Sequence, residues 1–123
     1  MNKQEKINQS QVFLTNMGIE AGAVGIILGT GVGDLIDQIQ IEREIPYSAI
    51  PHFPKPTMEF HKGRLIYGSL ENNKVVIFEG RFHAYEGLSY FEITYPVRLM
   101  HAMGAQQLII SNAAGAINLA FKK

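Results

Sequence analysis

Cysteine is absent from the 123 residues, which excludes a disulfide scaffold and any thiolate metal site and is compatible with a reducing cytoplasm. Net charge is absent too. Eleven basic and eleven acidic side chains balance, leaving no basic excess of the kind a nucleic-acid surface needs. Long hydrophobic runs are missing: the longest, such as Val24 to Leu28 and Leu108 to Ile110, fall far short of the ~20 residues that span a bilayer. The polar start, Met1-Asn-Lys-Gln-Glu-Lys6, is unlike a secretory signal. A soluble cytoplasmic protein with no membrane or nucleic-acid partner is therefore expected. What is present is an ordinary globular mixture, 46% hydrophobic and 18% charged, which excludes disorder as the main state. The length suits a single domain over residues 1–123, and no internal repeat or low-complexity tract appears.

Periodicity predicts a helix over Lys3 to Met17, with Ile7, Leu14 and Met17 on one face and Gly18 and Gly22 ending it. Val24 to Leu28 reads as a buried strand, Gly29 to Gly33 as a turn, and Asp34 to Ile39 as helical. Pro46, Pro51, Pro54 and Pro56 predict an irregular surface loop over Ile45 to Phe60. Gly63 to Leu70 and Lys74 to Phe78 form a predicted hairpin around Glu71-Asn-Asn73. Gly80 to Gly87 reads as a loop. Ser89 to Met103 reads as a helix in which Pro96 either makes a kink or marks the true first turn, closed by Gly104. Gln107 to Ser111 is a further buried strand, so apolar that neighbours on both sides are expected. The fold class that follows is α/β, a mixed sheet flanked by helices. Leu119-Ala-Phe-Lys-Lys123 begins an element and stops, so the chain reads as the front part of a larger domain.

Three segments could carry chemistry. Gly29-x-Gly31-x-Gly33, between a strand and a helix, can aim backbone N–H groups at an anion, with the Thr30 hydroxyl as a further donor. It can equally be a tight turn whose glycines serve backbone angles alone. The dinucleotide fingerprint would need glycine where Asp34 stands, and the Gly-Lys-Ser/Thr ending of a P-loop is absent. In Gly80-Arg-Phe-His-Ala-Tyr-Glu-Gly87, an extended backbone would send Arg81, His83 and Tyr85 to one side. The arginine fork suits phosphate oxygens. The small residues of Ser111-Asn-Ala-Ala-Gly-Ala116 let a backbone approach a ligand at a strand's C-terminal end, or simply pack a crossing. His61 could be a loop ligand or a proton donor, although a lone histidine is more often a satisfied surface residue, and His52 and His101, the latter on a helix beside apolar residues, take that plainer reading. Four histidines without a close carboxylate partner argue against a metal site.

Leu28-Gly-Thr-Gly-Val-Gly33, His61-Lys-Gly-Arg64, Gly80 to Gly87, Pro96-Val-Arg98 and Ser111-Asn-Ala-Ala-Gly115 together resemble the trimeric family of purine nucleoside phosphorylases. The resemblance runs from about Val24 onward and implies a phosphorylase/nucleoside-hydrolase-like sheet, truncated. It implies reversible phosphorolysis of purine nucleosides, with orthophosphate as co-substrate and neither metal nor organic cofactor. Thr30, His61, Arg81, Phe82, His83 and the Ala113 backbone then match phosphate-binding positions. Tyr85 matches a tyrosine facing the ribose, and Ala114 and Gly115 part of the purine floor. The family also implies a homotrimer.

The acid and amide that hold the base lie further downstream in that family, so the chain is expected to hold the phosphate and ribose half and to turn over little or not at all. No catalytic residue is assigned within it. Thr30 in place of serine also suits the related methylthioadenosine phosphorylases, whereas His83 and Tyr85-Glu-Gly87 suit the purine nucleoside branch. A non-catalytic phosphate-binding or assembly fragment is the alternative of a different class.

Overall fold

The computed structural model describes residues 1–28, 33–54, 63–80, 89–112 and 115–120, with the backbone alone for 33, 34, 111, 112 and 115–120. Helix α1 (Lys3–Asn16) starts on a capping box: Asn2 accepts from the Glu5 backbone N–H at 2.8 Å, and the Glu5 carboxylate accepts from the Asn2 N–H. It buries Ile7, Ser10 and Leu14 and stops at Met17, with Gly18 at φ +93° taking the left-handed turn. Strand β1 (Val24–Leu28) has the expected bounds. The following helix is shorter than its sequence pattern implies. Helix α2 (Gly33–Asp37) has five residues, and Gln38 and Ile39 close it with N–H bonds three residues back.

Strand β2 (Gln40–Pro46) is absent from the expected order. Glu42, Arg43 and Glu44 are exposed and hide any apolar alternation, as suits a strand at the sheet edge. The surface loop expected over Ile45 to Phe60 is corrected in its first half. Tyr47–Ala49 form a 3-10 turn, and Tyr47, Ile50 and Phe53 are buried. The prolines here end elements without keeping the segment out of the core. Phe53 stacks on Phe78 with ring centroids 5.8 Å apart and lies 4.5 Å from the Tyr47 ring. Residues 55–60 of that loop lie outside the described ones.

The hairpin of β3 (Arg64–Leu70) and β4 (Asn73–Glu79) forms as expected. Glu71 and Asn72 both have positive φ, +49° and +68°, the handedness that matches a two-residue turn to strand twist. The helix expected over Ser89 to Met103 is two helices, α3 (Tyr90–Ile93) and α4 (Tyr95–Ala102). Ser89 and Glu92 make a second capping box, and Pro96 sits in the first turn of α4, where no N–H is needed. Strand β5 (Gln107–Asn112) is followed by β6 (Gly115–Ala120), a partner not foreseen because small residues at 113–116 suggested only a loop.

The sheet order is β2-β3-β4-β1-β5-β6, with β1 parallel to β4 and β5 and every other pairing antiparallel. The expected α/β class and mixed sheet are thus present, and Leu108 to Ile110 have neighbours on both sides. Central strands bury both faces. Ile27, Val76 and Phe78 meet Leu14, Tyr95, Leu99 and Leu108 on one face; Ile26, Leu28, Val75 and Ile77 meet Ile36 and Ile39 on the other. Among the described residues no helix is long and apolar enough to cross a membrane.

Helix α1 is tied down by one buried polar knot. The Ser10 hydroxyl lies 2.5 Å from the Pro51 carbonyl and 2.6 Å from the Tyr95 hydroxyl, which in turn reaches the Lys6 carbonyl at 3.1 Å. Ser10→Ala should cost about 1–3 kcal/mol in urea unfolding, because carbonyl and phenol groups buried beside it lose a partner. A cost below a few tenths would show that the knot is dispensable.

Candidate functional site

Parallel pairing on both flanks of β1 brings three strand ends to one edge. The register sets Leu28 beside Glu79 of β4 and beside Ser111 of β5, and antiparallel pairing adds Arg64 next to Glu79. One row therefore crosses the sheet as Arg64, Glu79, Leu28 and Ser111. At the usual strand spacing, the three parallel ends span about 10 Å. From this row the chain runs on into 29–32, 81–88 and 113–114, and residues 61 and 62 lead into it through Gly63. The glycine turn, the segment after Gly80, the small-residue segment around Ser111 and the residues before Gly63 thus have their roots at the same edge, the C-terminal edge at which open α/β sheets bind ligands.

Tyr47 joins two of those roots. Its ring is buried, its backbone N–H donates to the Gly63 carbonyl at 3.1 Å, and its hydroxyl donates to the Gly80 carbonyl at 2.8 Å. A Cβ at Gly63 would overlap the ring. Gly80 has φ +117°, and a Cβ there would come within 3.1 Å of the Gly63 Cα. Both glycines are therefore required by this contact. Tyr47 was not among the residues the sequence pointed to. The signal was the spacing of Tyr47, Ile50 and Phe53 every three residues, the period of a 3-10 turn, which the prolines obscured.

Among the described residues at the edge, one cation is shared between two carboxylates. Arg64 Nε donates to Glu79 Oε1 at 2.6 Å, and the same guanidinium bonds Glu44. The hydrogen bond to Glu79 is the largest cause holding the Arg64 pKa above its ordinary value. As a part-exposed pair it is worth no more than about 1 kcal/mol of stability. Its electrostatic consequence is larger: a lone Glu79 carboxylate beside the edge would repel an anion, and Arg64 offsets it.

Of the residues expected at the site, Thr30, His61, Arg81, Phe82, His83, Tyr85, Ala113 and Ala114 lie outside the described residues. Gly115 is described in its backbone only, as the first residue of β6, paired with Asn112. The helix after the glycine turn has only five residues, so its dipole is short. His52 is exposed and hydrogen-bonds Gln9 at 2.6 Å, as a surface histidine; His101 lies exposed on α4. Among the described residues no group of His, Asp and Glu could hold a metal ion. A groove of about 650 Å³ runs between α1 and α4, lined by Lys3, Ile7, Phe91, Arg98 and His101, away from the strand ends.

A mixed α/β sheet with its glycine-rich segments leaving one strand edge places the chain in the open-sheet class, whose members bind ligands at that edge. Residues 23–123 match the sequence profile of the phosphorylase superfamily, and the chain belongs to that family. It is 48% identical over 116 residues to purine nucleoside phosphorylase 1 of Geobacillus stearothermophilus, covering 94% of this chain and 42% of the relative. The Schistosoma mansoni purine nucleoside phosphorylase in complex with inosine superposes with a TM-score of 0.78 at 37% identity, covering 89% of this chain and 38% of that one. Isoform 2 of the Schistosoma mansoni enzyme, in complex with cytosine and ribose-1-phosphate, also gives a TM-score of 0.78, at 39% identity, covering 86% and 37%. The chain thus spans less than half the length of these relatives.

Burial, with a smaller contribution from the nearby Glu79 carboxylate, pushes the Tyr47 phenol well above its ordinary value; burial also raises Tyr95, against a smaller opposing effect of the Ser10 hydrogen bond. In the unfolded chain both ionise near pH ~10. The folded state therefore holds more protons above that pH, so their contribution is fully present below it and is lost as pH rises. Urea midpoints should fall from about pH 10 upward, and Tyr47→Phe should flatten that fall. A slope unchanged by the substitution would contradict the assignment.

Proposed function

We propose that the chain supplies the phosphate- and ribose-holding part of a purine nucleoside phosphorylase. The observation that carries this is the paired row Arg64, Glu79, Leu28 and Ser111, which roots the three candidate segments and the residues before Gly63 at one strand edge. The names of its relatives support the same chemistry. In this reading Arg81, His83, the Thr30 hydroxyl, His61 and backbone N–H groups at Phe82 and Ala113 surround orthophosphate. Tyr85 faces the ribose, and Ala114 and Gly115 lie beneath the purine.

The reaction breaks the C1′–N9 bond of the nucleoside and forms a C1′–O bond to phosphate. The electron pair of the broken bond leaves with the purine. Positive charge builds on the ribose ring during cleavage, so a phosphate held in line serves as both nucleophile and counter-charge. Arg81 gives the fork that orients its oxygens, and fixed N–H groups lower the cost of concentrating its charge in one place. Orthophosphate is a co-substrate, and no step of this chemistry calls for a metal or organic cofactor. The working assembly is proposed as a homotrimer in the cytoplasm, and the 123 residues alone are expected to show little turnover.

Isothermal titration with inorganic phosphate, repeated on Arg81→Ala, tests the site. A hydrogen-bonded charge pair is worth ~1.5–3 kcal/mol, so Kd should rise by about 10- to 150-fold in the variant. Phosphate binding equal in both proteins would overturn the assignment.

A further inference from the structure

We infer that Tyr47 is a positioning residue that sets Gly63 relative to Gly80, the two points at which the segments bearing His61 and Arg81 join the sheet. The inference rests on the phosphate-site reading above. Three contacts converge on one side chain and its own backbone. The hydroxyl donates to the Gly80 carbonyl at 2.8 Å, and that carbonyl belongs to the peptide group that joins Gly80 to Arg81. A peptide group is planar, so holding the Gly80 oxygen relative to its Cα holds the orientation of the peptide group that leaves Gly80. On the other side the Tyr47 N–H holds the Gly63 carbonyl at 3.1 Å, two residues after His61. Between these bonds the ring lies against Gly63, where no Cβ could fit.

The ring itself has little freedom. It is buried, set 4.5 Å from Phe53 and 6.4 Å from Phe78 between centroids, so core aromatics hold the ring that aims the hydroxyl. Gly80 at φ +117° is the flexible point of the root, a residue type with the widest choice of backbone angles. A hydrogen bond there removes freedom where it would otherwise be greatest. Ligand groups on separate segments bind a small anion well only if their spacing is set in advance, since otherwise binding must supply the ordering.

Tyr95 provides a matched control. It too is a buried tyrosine with hydrogen-bonded hydroxyl, but its partners are Ser10 and the Lys6 carbonyl beneath α1. Isothermal titration with inorganic phosphate should give a Kd raised about fivefold in Tyr47→Phe, the effect of one ordinary hydrogen bond. Tyr95→Phe should lower Tm while leaving Kd within about twofold, since it touches no root of the site. A Tyr47→Phe protein that binds phosphate like the unaltered chain overturns the inference, as does a Tyr95→Phe protein with an equal loss.

If Tyr47→Phe does not fold, the unaltered chain still decides the matter. Coupling is reciprocal, so saturating phosphate must slow exchange of the Tyr47 hydroxyl proton. Unchanged exchange refutes the positioning role. Loss of binding in Arg81→Ala but not in Tyr47→Phe sinks this inference alone, whereas absence of phosphate binding in the unaltered chain sinks the site reading and this inference together.

Discussion

Strand β1 pairs in parallel with β4 on one flank and β5 on the other, and the placement of the candidate site depends on that double pairing. Parallel neighbours end at the same edge, so the chain must leave all three strands on one side of the molecule. Residues far apart in sequence, at the ends Leu28, Glu79 and Ser111, become a single row. The pairing is held by burial on both faces. Ile26 and Leu28 point one way and Ile27 the other, each into its own cluster, so a slip of one residue would reverse every one of these side chains. The row is therefore as rigid as the core beneath it.

On this frame the edge is prepared in two physical senses. Arg64 shares its one positive charge between Glu79 and Glu44 and so offsets the Glu79 carboxylate in part. Arg64 is thereby engaged with two carboxylates. Tyr47 prepares the backbone, joining Gly63 and Gly80 from the buried side. The two preparations are adjacent, since Glu79 precedes Gly80 and Gly63 precedes Arg64. Charge and geometry are set within a few residues of each other.

Much of this was legible in the residues, and the failures have physical causes. β1, the β3–β4 hairpin and β5 are short, branched and bounded by turn residues, and their periodicity is clear. β2 was hidden because an edge strand exposes charged side chains on both sides of its pleat. β6 was hidden because the two residues between Asn112 and Gly115 are small and say nothing of direction. The buried aromatic knot of Tyr47 and Phe53 was hidden by prolines, which indicate where regular structure stops but not whether the chain is inside or outside. The site was legible as motifs, each ambiguous alone. Only the strand register shows that their roots share an edge, because a long-range pairing leaves no local trace in sequence.

The most direct measurement is a ¹H–¹⁵N titration of the chain with inorganic phosphate, following every assigned amide. Shifts should concentrate on the amides next to the strand ends, at Leu28, Gly63, Gly80 and Asn112 and in the segments that continue from them. Shifts gathered instead along the groove between α1 and α4, at Lys3, Arg98 and His101, would place the anion elsewhere and contradict the assignment of the sheet edge as the site.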